Sequence, residues 1–298
     1  MADRILVTGS GGFAGSHLLA ELGGEGIPLE ADVTDAQALA DAIGSVSPRG
    51  VVHLAAYSSV ADSWGTAGEV WRVNVLGTLN VLEATSVAAP QARVLVASTG
   101  EVYGQAERTP TPETEPVSPV SPYAASKAAA ELACAQAAHD GLDVVVARAF
   151  QHEGPGRDER FAVGSWTAQL ARLEESGGGT LLVGDLSAQR DITDVRDVCR
   201  AYRLLLDPAV ATGTYNVASG RTVSMQEVLD MLLRLATCRV EVERDPARSR
   251  RADLPLAWGD PTKLAAATGW CPAIPLERTL SDTLEAARGA VGERMTSA

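Results

Sequence analysis

A tyrosine and a lysine, Tyr123 and Lys127, stand four residues apart in an alanine-rich segment that predicts a helix over residues 123–138. On a helix this spacing places both side chains on one face. An ammonium beside a phenol lowers the pKa of the phenol, so Tyr123 could exchange a proton with a substrate hydroxyl or carbonyl near neutral pH. Only Lys127 and Lys263 are lysine among 25 basic residues, which disfavours a generic surface role for Lys127.

A threonine at the end of a predicted strand is the next candidate. Residues 93–98 form a β-branched run that Thr99 follows directly. In open α/β sheets, ligands bind beyond the carboxyl ends of the strands. We therefore expect the Thr99 hydroxyl to reach the same substrate oxygen as the phenol of Tyr123.

Glycines with GxxGxxG spacing connect a predicted strand over residues 4–8 to a predicted helix over 12–22. Gly9 allows a tight turn, Gly12 lets the backbone approach a pyrophosphate, and Gly15 lets the helix pack on the strand. The phosphates would lie at the helix N-terminus, where amide groups and the helix dipole favour anions. The sequence therefore predicts a dinucleotide site.

Two residues are candidates for the contact with the adenosine ribose. An acidic residue about 20 positions beyond the loop normally serves, and Glu30 or Asp32 in the short second strand over residues 26–33 could do so. The absence of Arg from this stretch favours NAD(H). An Arg from elsewhere could still bind a 2′-phosphate, so NADP(H) stays an alternative.

The first half of the chain alternates short strands with alanine-rich helices, which predicts βαβ units and a parallel sheet with helices on both faces. The second half is less regular, and Gly177 to Gly179 predict a turn. Besides the elements already given, the predicted strands cover residues 50–54 and 143–148, and the predicted helices cover 69–84, 159–175 and 225–236.

Composition excludes several classes of protein. The chain has 298 residues, 46% of them hydrophobic, and a net charge of −13, which predicts a folded protein and disfavours a general nucleic-acid binder. No apolar run reaches the ~18 residues of a membrane span, and the N-terminus lacks the pattern of a signal peptide. We therefore expect a cytoplasmic protein. The scattered cysteines and histidines predict no metal site.

These motifs resemble the extended short-chain dehydrogenase/reductases that act on nucleotide sugars, and the resemblance covers nearly the whole chain. Residues 8–15 match TGxxGxxG, residues 53–56 match HxAA, and Asn74 matches a helix asparagine of the family. Thr99, Tyr123 and Lys127 match the catalytic trio. The resemblance implies these cofactor contacts: Gly9, Gly12, Phe13, Ala14, Gly15, Asp32, Val33, Leu54, Ala55, Ala56, Asn74, Tyr123 and Lys127.

The resemblance also implies the architecture. It predicts a Rossmann-type, doubly wound parallel sheet and a smaller α/β C-terminal lobe. The dinucleotide domain would cover residues 1–160, with 191–218 returning to it, and the nucleotide-sugar lobe would cover 161–190 and 219–298. In this family the helices matching residues 69–84 and 123–138 pair between subunits as a four-helix bundle, which implies a homodimer.

Segments of the second half resemble those of enzymes acting on GDP-sugars. Residues 148–156 resemble RxFNHxGPG, with Gln151 in place of the Asn. Residues 183–195 resemble VGNLxAxRDFTDV, which implies that Arg190 binds the nucleotide diphosphate. Residues 245–253 resemble the RPxE/D element, which implies a phosphate contact from Arg250 and a ribose contact from Asp253. Ser58 and Gln151 complete the implied substrate contacts.

The resemblance favours 4-keto reduction of a GDP-4-keto-6-deoxy-hexose, with Tyr123 as proton donor. Dehydratases of the family carry Thr-Asp-Glu or Thr-Ser-Glu, whereas this chain has Thr99, Gly100 and Glu101. Glu101 matches the dehydratase base or orients the sugar, but Gly100 cannot act as an acid. Dehydration of GDP-mannose and 4-epimerisation are the alternatives. A non-catalytic dinucleotide sensor is remote, because such proteins usually lose the Tyr and Lys.

Overall fold

The computed structural model describes residues 4–248 and 254–296, and its elements are numbered here in chain order. The strands within this part of the chain are β1 Ile5–Thr8, β2 Gly26–Leu29, β3 Gly50–His53, β4 Arg93–Thr99, β5 Val144–Ala149, β6 Gln151–Glu153, β7 Gly179–Val183, β8 Gln189–Arg190, β9 Ile192–Asp194, β10 Gly213–Val217, β11 Val223–Ser224, β12 Val240–Arg244 and β13 Leu256–Ala257. The helices are α1 Phe13–Leu22, α2 Ala36–Val46, α3 Val60–Ser63, α4 Ala67–Trp71, α5 Gly77–Ala88, α6 Pro122–His139, α7 Ala162–Ser176, α8 Val195–Leu205, α9 Met225–Leu235, α10 Thr262–Thr268 and α11 Leu276–Thr296.

A six-stranded parallel sheet in the order β10-β5-β4-β3-β1-β2 forms the larger half. Because the strands are parallel, all of their carboxyl ends lie at one edge, and the strand order reverses between β1 and β3. A crevice at such a reversal is the usual ligand site of open α/β sheets. The predicted doubly wound fold is confirmed. The sheet ends at β2, whose Pro28 pairs with Val7.

Alternation along the strands builds a core on each face of the sheet. Ile5 and Val7 of β1 join one buried cluster with residues of α1 and α8, while Leu6 joins the opposite cluster with residues of α2 and α5. Strands buried on both faces read as continuous apolar runs, which is why the sequence predicted them well.

The helix predicted over residues 69–84 is interrupted in the structure. A π-helical stretch, Arg72–Leu76, lies between α4 and α5. Within it the buried Asn74 side chain accepts a hydrogen bond from the Tyr57 amide and donates to the Ser126 hydroxyl. A π turn widens the helix by one residue, and such turns occur often at functional sites.

Local signals explain where the other helices begin and end. Ser121 caps the first turn of α6 and Pro122 starts it, while Ser224 and Glu227 form a capping box at α9. The helix predicted over residues 159–175 begins later, at Ala162, and ends at Gly177 in the left-handed conformation.

The smaller half packs α7, α9 and α11 around β7 and β12 with a core of its own. Paired strands of two or three residues, β6 with β9 and β8 with β11 and β13, connect it to the edge of the large sheet. The division into two domains stays a prediction. Leu264 and Trp270, which lie in the segment predicted for the lobe, are buried in a core cluster of the large sheet. No helix among the described residues is long and apolar enough to cross a membrane.

Candidate functional site

The glycine loop forms a close-packed cradle at the carboxyl end of β1. Gly9 has φ +64°, and a Cβ there would lie 2.7 Å from the Ala55 backbone nitrogen. A Cβ on Gly15 would lie 2.2 Å from the Gly9 carbonyl oxygen. Helix α1 begins at Gly12 without a side-chain cap, in contrast to α6. The loop therefore presents backbone without side chains, which fits a pyrophosphate bound at the start of α1.

A buried histidine shapes the wall opposite the glycine loop. The Thr78 hydroxyl donates to the Asn74 carbonyl oxygen, so it accepts from His53 Nε2 at 3.1 Å. The Thr8 hydroxyl therefore donates to Nδ1 at 2.8 Å and accepts from the Leu54 and Ala55 amides. Burial lowers the pKa of His53 to about 3, in agreement with a neutral ring. His53 thus fixes the backbone that faces Gly9.

Most of the predicted cofactor residues line one groove. The lining residues are Gly9, Gly11, Gly12, Phe13, Ala14, Gly15, Leu54, Ala55, Ala56, Ser58, Ala97, Ser98, Tyr123, Lys127, His152, Arg157 and Tyr202. Asn74 lies behind this wall and bonds to Tyr57 and Ser126 instead. Asp32 accepts from the Thr34 amide and hydroxyl, and these bonds hold the pKa of Asp32 below its usual value.

The segment that contains Asp32 has an arginine neighbour that no local motif indicated. Arg72 donates to the Thr34 hydroxyl at 2.6 Å and pairs with Glu69. An arginine from elsewhere in the fold thus lies beside the segment that contains Asp32 and Val33. The choice between NAD(H) and NADP(H) therefore stays open.

Tyr123 and Lys127 line the same groove, as predicted, but the expected effect of Lys127 on the phenol is wrong. Burial raises the pKa of Tyr123 to about 12, although a hydrogen bond with Thr99 and the charge of Arg157 act to lower it. The Lys127 ammonium instead donates to the Ala97 carbonyl oxygen at 2.8 Å. Burial lowers the pKa of Lys127 to about 8. The phenol is therefore protonated at neutral pH.

An ion pair beneath β4 anchors the strand that carries Thr99. Arg148 of β5 donates to Glu131 of α6 at 2.9 Å, and both side chains are about nine-tenths buried, with exposed fractions of 8% and 10%. The Ser98 hydroxyl donates to the same carboxylate. These contacts join β4, β5 and α6.

A second cleft opens beyond Tyr123 toward the smaller half. It contains the predicted Ser58, Thr99, Glu101, Gln151 and Arg190. Arg190 also lines its outer part, together with two arginines the sequence did not single out, Arg160 and Arg248. The predicted Arg250 and Asp253 lie outside the described residues. Of the described residues in the matching segment, Arg248 lines the cleft.

Sequence reasoning also missed Arg157. The matched RxFNHxGPG segment ends at Gly156, one residue earlier. Arg157 lines both the groove and the cleft, and its guanidinium carbon lies 3.6 Å from the centroid of the Phe161 ring. An arginine directly after a Gly-Pro-Gly turn was the available signal.

Comparison with known proteins fits this geometry. A profile of the family described as GDP-mannose 4,6 dehydratase matches residues 27–283. The chain belongs to the GDP-mannose 4,6-dehydratase family. The predicted kinship with epimerase/dehydratase-type short-chain dehydrogenase/reductases is thereby confirmed.

Members and neighbours of this family include reductases and epimerases. GDP-6-deoxy-D-mannose reductase of Pseudomonas aeruginosa is 36% identical over 291 residues, which span 94% of this chain and 95% of that protein. A solved structure of RMD from Pseudomonas aeruginosa complexed with NADPH matches with TM-score 0.89 and 35% identity, over 97% of this chain and 99% of that one. UDP-glucose 4-epimerase from Thermus thermophilus, in complex with NAD, matches with TM-score 0.85 and 32% identity, over 96% and 99%.

Proposed function

We propose that the protein reduces the 4-keto group of a GDP-4-keto-6-deoxy-hexose with NADH or NADPH. The groove that contains the glycine cradle and Lys127 would hold the dinucleotide, which supplies the hydride. The cleft beyond Tyr123 would hold the sugar, with its nucleotide directed toward Arg190. The relative named GDP-6-deoxy-D-mannose reductase, which matches along nearly the whole chain, supports this substrate class.

The chain's own residues provide the proton. Tyr123 is protonated at neutral pH, and the neighbouring Thr99 hydroxyl acts to lower the pKa of the phenol. We infer that Thr99 and Tyr123 bind the C4 oxygen, and that Tyr123 donates its proton as negative charge develops there. Lys127 lines the same groove, where its ammonium would bind the dinucleotide.

Gly100 is the observation that favours reduction over dehydration. A Cβ on Gly100 would lie 2.9 Å from ring atoms of Phe150, so the wall of the cleft leaves no room there for the acidic side chain that dehydratases carry. Glu101 does line the cleft and could remove a proton from the sugar. Dehydration therefore remains the second candidate, on the strength of Glu101 alone.

Two incubations separate the candidates. The first contains GDP-4-keto-6-deoxy-mannose with NADH or NADPH, and the second contains GDP-mannose with a catalytic amount of NAD⁺ or NADP⁺. We expect loss of absorbance from the reduced cofactor only with the keto sugar. Formation of the keto sugar from GDP-mannose would select dehydratase instead. The Tyr123→Phe variant is the control, because any loss of reduced cofactor that persists in this variant does not depend on Tyr123.

We also propose a homodimer formed through α4, α5 and α6. Large apolar side chains are exposed on this face, among them Val87 at 81% and Leu132 at 74% exposure. Light scattering of the purified protein should give twice the chain mass, and Leu132→Glu should shift it to monomer. A wild-type monomer at micromolar concentration would refute the proposal. The cytoplasmic location expected from the sequence stays a prediction.

A further inference from the structure

Glu153 is a fully buried carboxylate between the two ligand clefts. It ends β6, and its side chain accepts from Gln151 Nε2 at 3.0 Å on one oxygen. Its other oxygen lies 3.3 Å from Arg157 Nε. A buried carboxylate is costly unless it is paired, so the geometry joins Gln151, Glu153 and Arg157 into one polar unit.

Two aromatic rings fix the plane of the Arg157 guanidinium. Its central carbon lies 3.6 Å from the centroid of the Phe161 ring and 4.8 Å from that of the Phe13 ring. Stacking and the ion pair with Glu153 leave the side chain only 11% exposed. An arginine held in this way loses little freedom when it binds an anion.

The segment that carries Arg157 packs on the first turn of α1. Phe13 is the first residue of that helix, and a Cβ on Gly154 would lie 3.8 Å from its ring. His17, one turn further, is 2.9 Å from the Pro155 carbonyl oxygen. Arg157 therefore lies next to the part of the cradle that fits a pyrophosphate.

Arg157 differs from the other arginines in the clefts that it lines. Arg160, Arg190 and Arg248 line the sugar cleft, whereas Arg157 also lines the glycine-loop groove. Among the described residues that line the groove, no aspartate or glutamate is present, although the whole chain carries a net charge of −13. Lys127, the other cation there, donates to the Ala97 carbonyl oxygen.

We propose that Arg157 binds the pyrophosphate of the dinucleotide, and that Glu153 orients it for this contact. The proposal rests on the proposed function only in assuming that the groove binds NAD(P)H. A charge-assisted contact of this kind adds to the backbone cradle without depending on the sugar.

The test measures binding, without turnover, by NADPH fluorescence and by calorimetry with ADP-ribose, 2′-AMP and GDP. NADPH and ADP-ribose contain the cofactor pyrophosphate, whereas 2′-AMP does not. We expect Arg157→Gln to raise the Kd of NADPH and of ADP-ribose about tenfold and to leave 2′-AMP and GDP unchanged. Arg160→Gln, which alters only the sugar cleft, should leave the Kd of NADPH within about twofold of the wild type.

A double variant separates binding from a merely structural role. Glu153→Gln with Arg157→Gln removes both buried charges, so it should fold even where the single variant does not. If Arg157 binds phosphate, the double variant keeps the tenfold weaker affinity. Restored affinity would show that Arg157 only neutralises Glu153, and a loss confined to GDP would place Arg157 at the substrate. Either result overturns the inference, whereas a wild type that binds neither NADH nor NADPH would instead refute the proposed function.

Discussion

The residues proposed to transfer the proton and two arginines of the proposed sugar cleft are held in opposite ways. Thr99 and Lys127 are buried, with exposed fractions of 7% and 5%, and Lys127 donates to a carbonyl oxygen of β4. Arg160 and Arg248 have side-chain exposures of 56% and 39%, and they pair with nearby aspartates. We therefore expect the proton-transfer groups to stay in place and these two arginines to change partner when substrate binds, whereas Arg190 of the same cleft is itself buried, at 5% exposure.

The aspartates paired with these arginines have a physical role in this comparison. Asp158 accepts from Arg160 at 2.9 Å, and this bond holds the pKa of Asp158 below its usual value. A diphosphate that binds to Arg160 would compete with this carboxylate. Binding then exchanges one ion pair for another, which favours selectivity for geometry over simple attraction between opposite charges.

The largest expected effect is a loss of turnover in the Tyr123→Phe variant without a loss of cofactor or substrate binding. Tyr123→Phe removes the proton donor and keeps the ring, so we expect kcat to fall about 10²- to 10⁴-fold. The Kd of NADPH and the KM of the keto sugar should stay within about threefold, since Thr99 and Lys127 remain. Steady-state kinetics and fluorescence titration measure both. Turnover near the wild-type rate would remove Tyr123 from the mechanism.

The next effect contrasts a buried ion pair with an exposed one. Glu131→Gln leaves the Arg148 guanidinium buried without a full counter-charge, and we expect a loss of about 3–5 kcal/mol in the free energy of unfolding. The matched variant Glu241→Gln breaks the exposed pair with Arg239, for which we expect no measurable loss. Urea denaturation compares the two. Equal losses would contradict the difference in burial.

A smaller effect is expected on the KM of the keto sugar when Arg190 of the sugar cleft is replaced. Arg190→Gln should raise the KM of the keto sugar about 10- to 100-fold and leave the Kd of NADPH unchanged, because Arg190 lines the sugar cleft and not the groove. Arg239→Gln, an exposed change in the same half, is the control. A parallel loss of cofactor affinity would show that the two clefts are not independent.

The smallest effect concerns pH. Burial lowers the pKa of Lys127 to about 8, so its positive charge is present below pH 8 and is lost as the pH rises through that value. We expect the Kd of NADPH to rise roughly three- to tenfold between pH 7 and pH 9 in the wild type. Lys127→Met should bind more weakly and show no such rise. A flat wild-type profile would place the titration elsewhere.

The two halves also differ in how well the sequence predicted them. β1, β3, β4 and β5 are apolar on both faces, so composition alone located them within a residue or two. The helix over 69–84 was predicted as continuous because the spacing of apolar residues gives no sign of the π turn at Arg72–Leu76. That turn depends on Asn74 reaching Tyr57 and Ser126, contacts that are distant in sequence.

The strands of the smaller half could not be located from the sequence as closely as those of the large sheet. β8, β11 and β13 have two residues each and form only through pairing with one another. Tyr123, Lys127 and Thr99 could be found because their spacing itself encodes a shared face or a strand end. Glu153 could not, because its proposed role depends on its burial. Arg157 had only its place after the Gly-Pro-Gly turn as a signal, since its proposed role depends on the rings of Phe13 and Phe161.

The edge strand β2 affects how readily the large sheet could pair with a strand of another molecule. That edge strand is four residues long and contains Pro28, which has no amide hydrogen to offer to a further strand. A foreign segment that docked there would lack one rung of its ladder and would meet the pyrrolidine ring. We therefore expect this border to resist intermolecular β-pairing during expression and refolding.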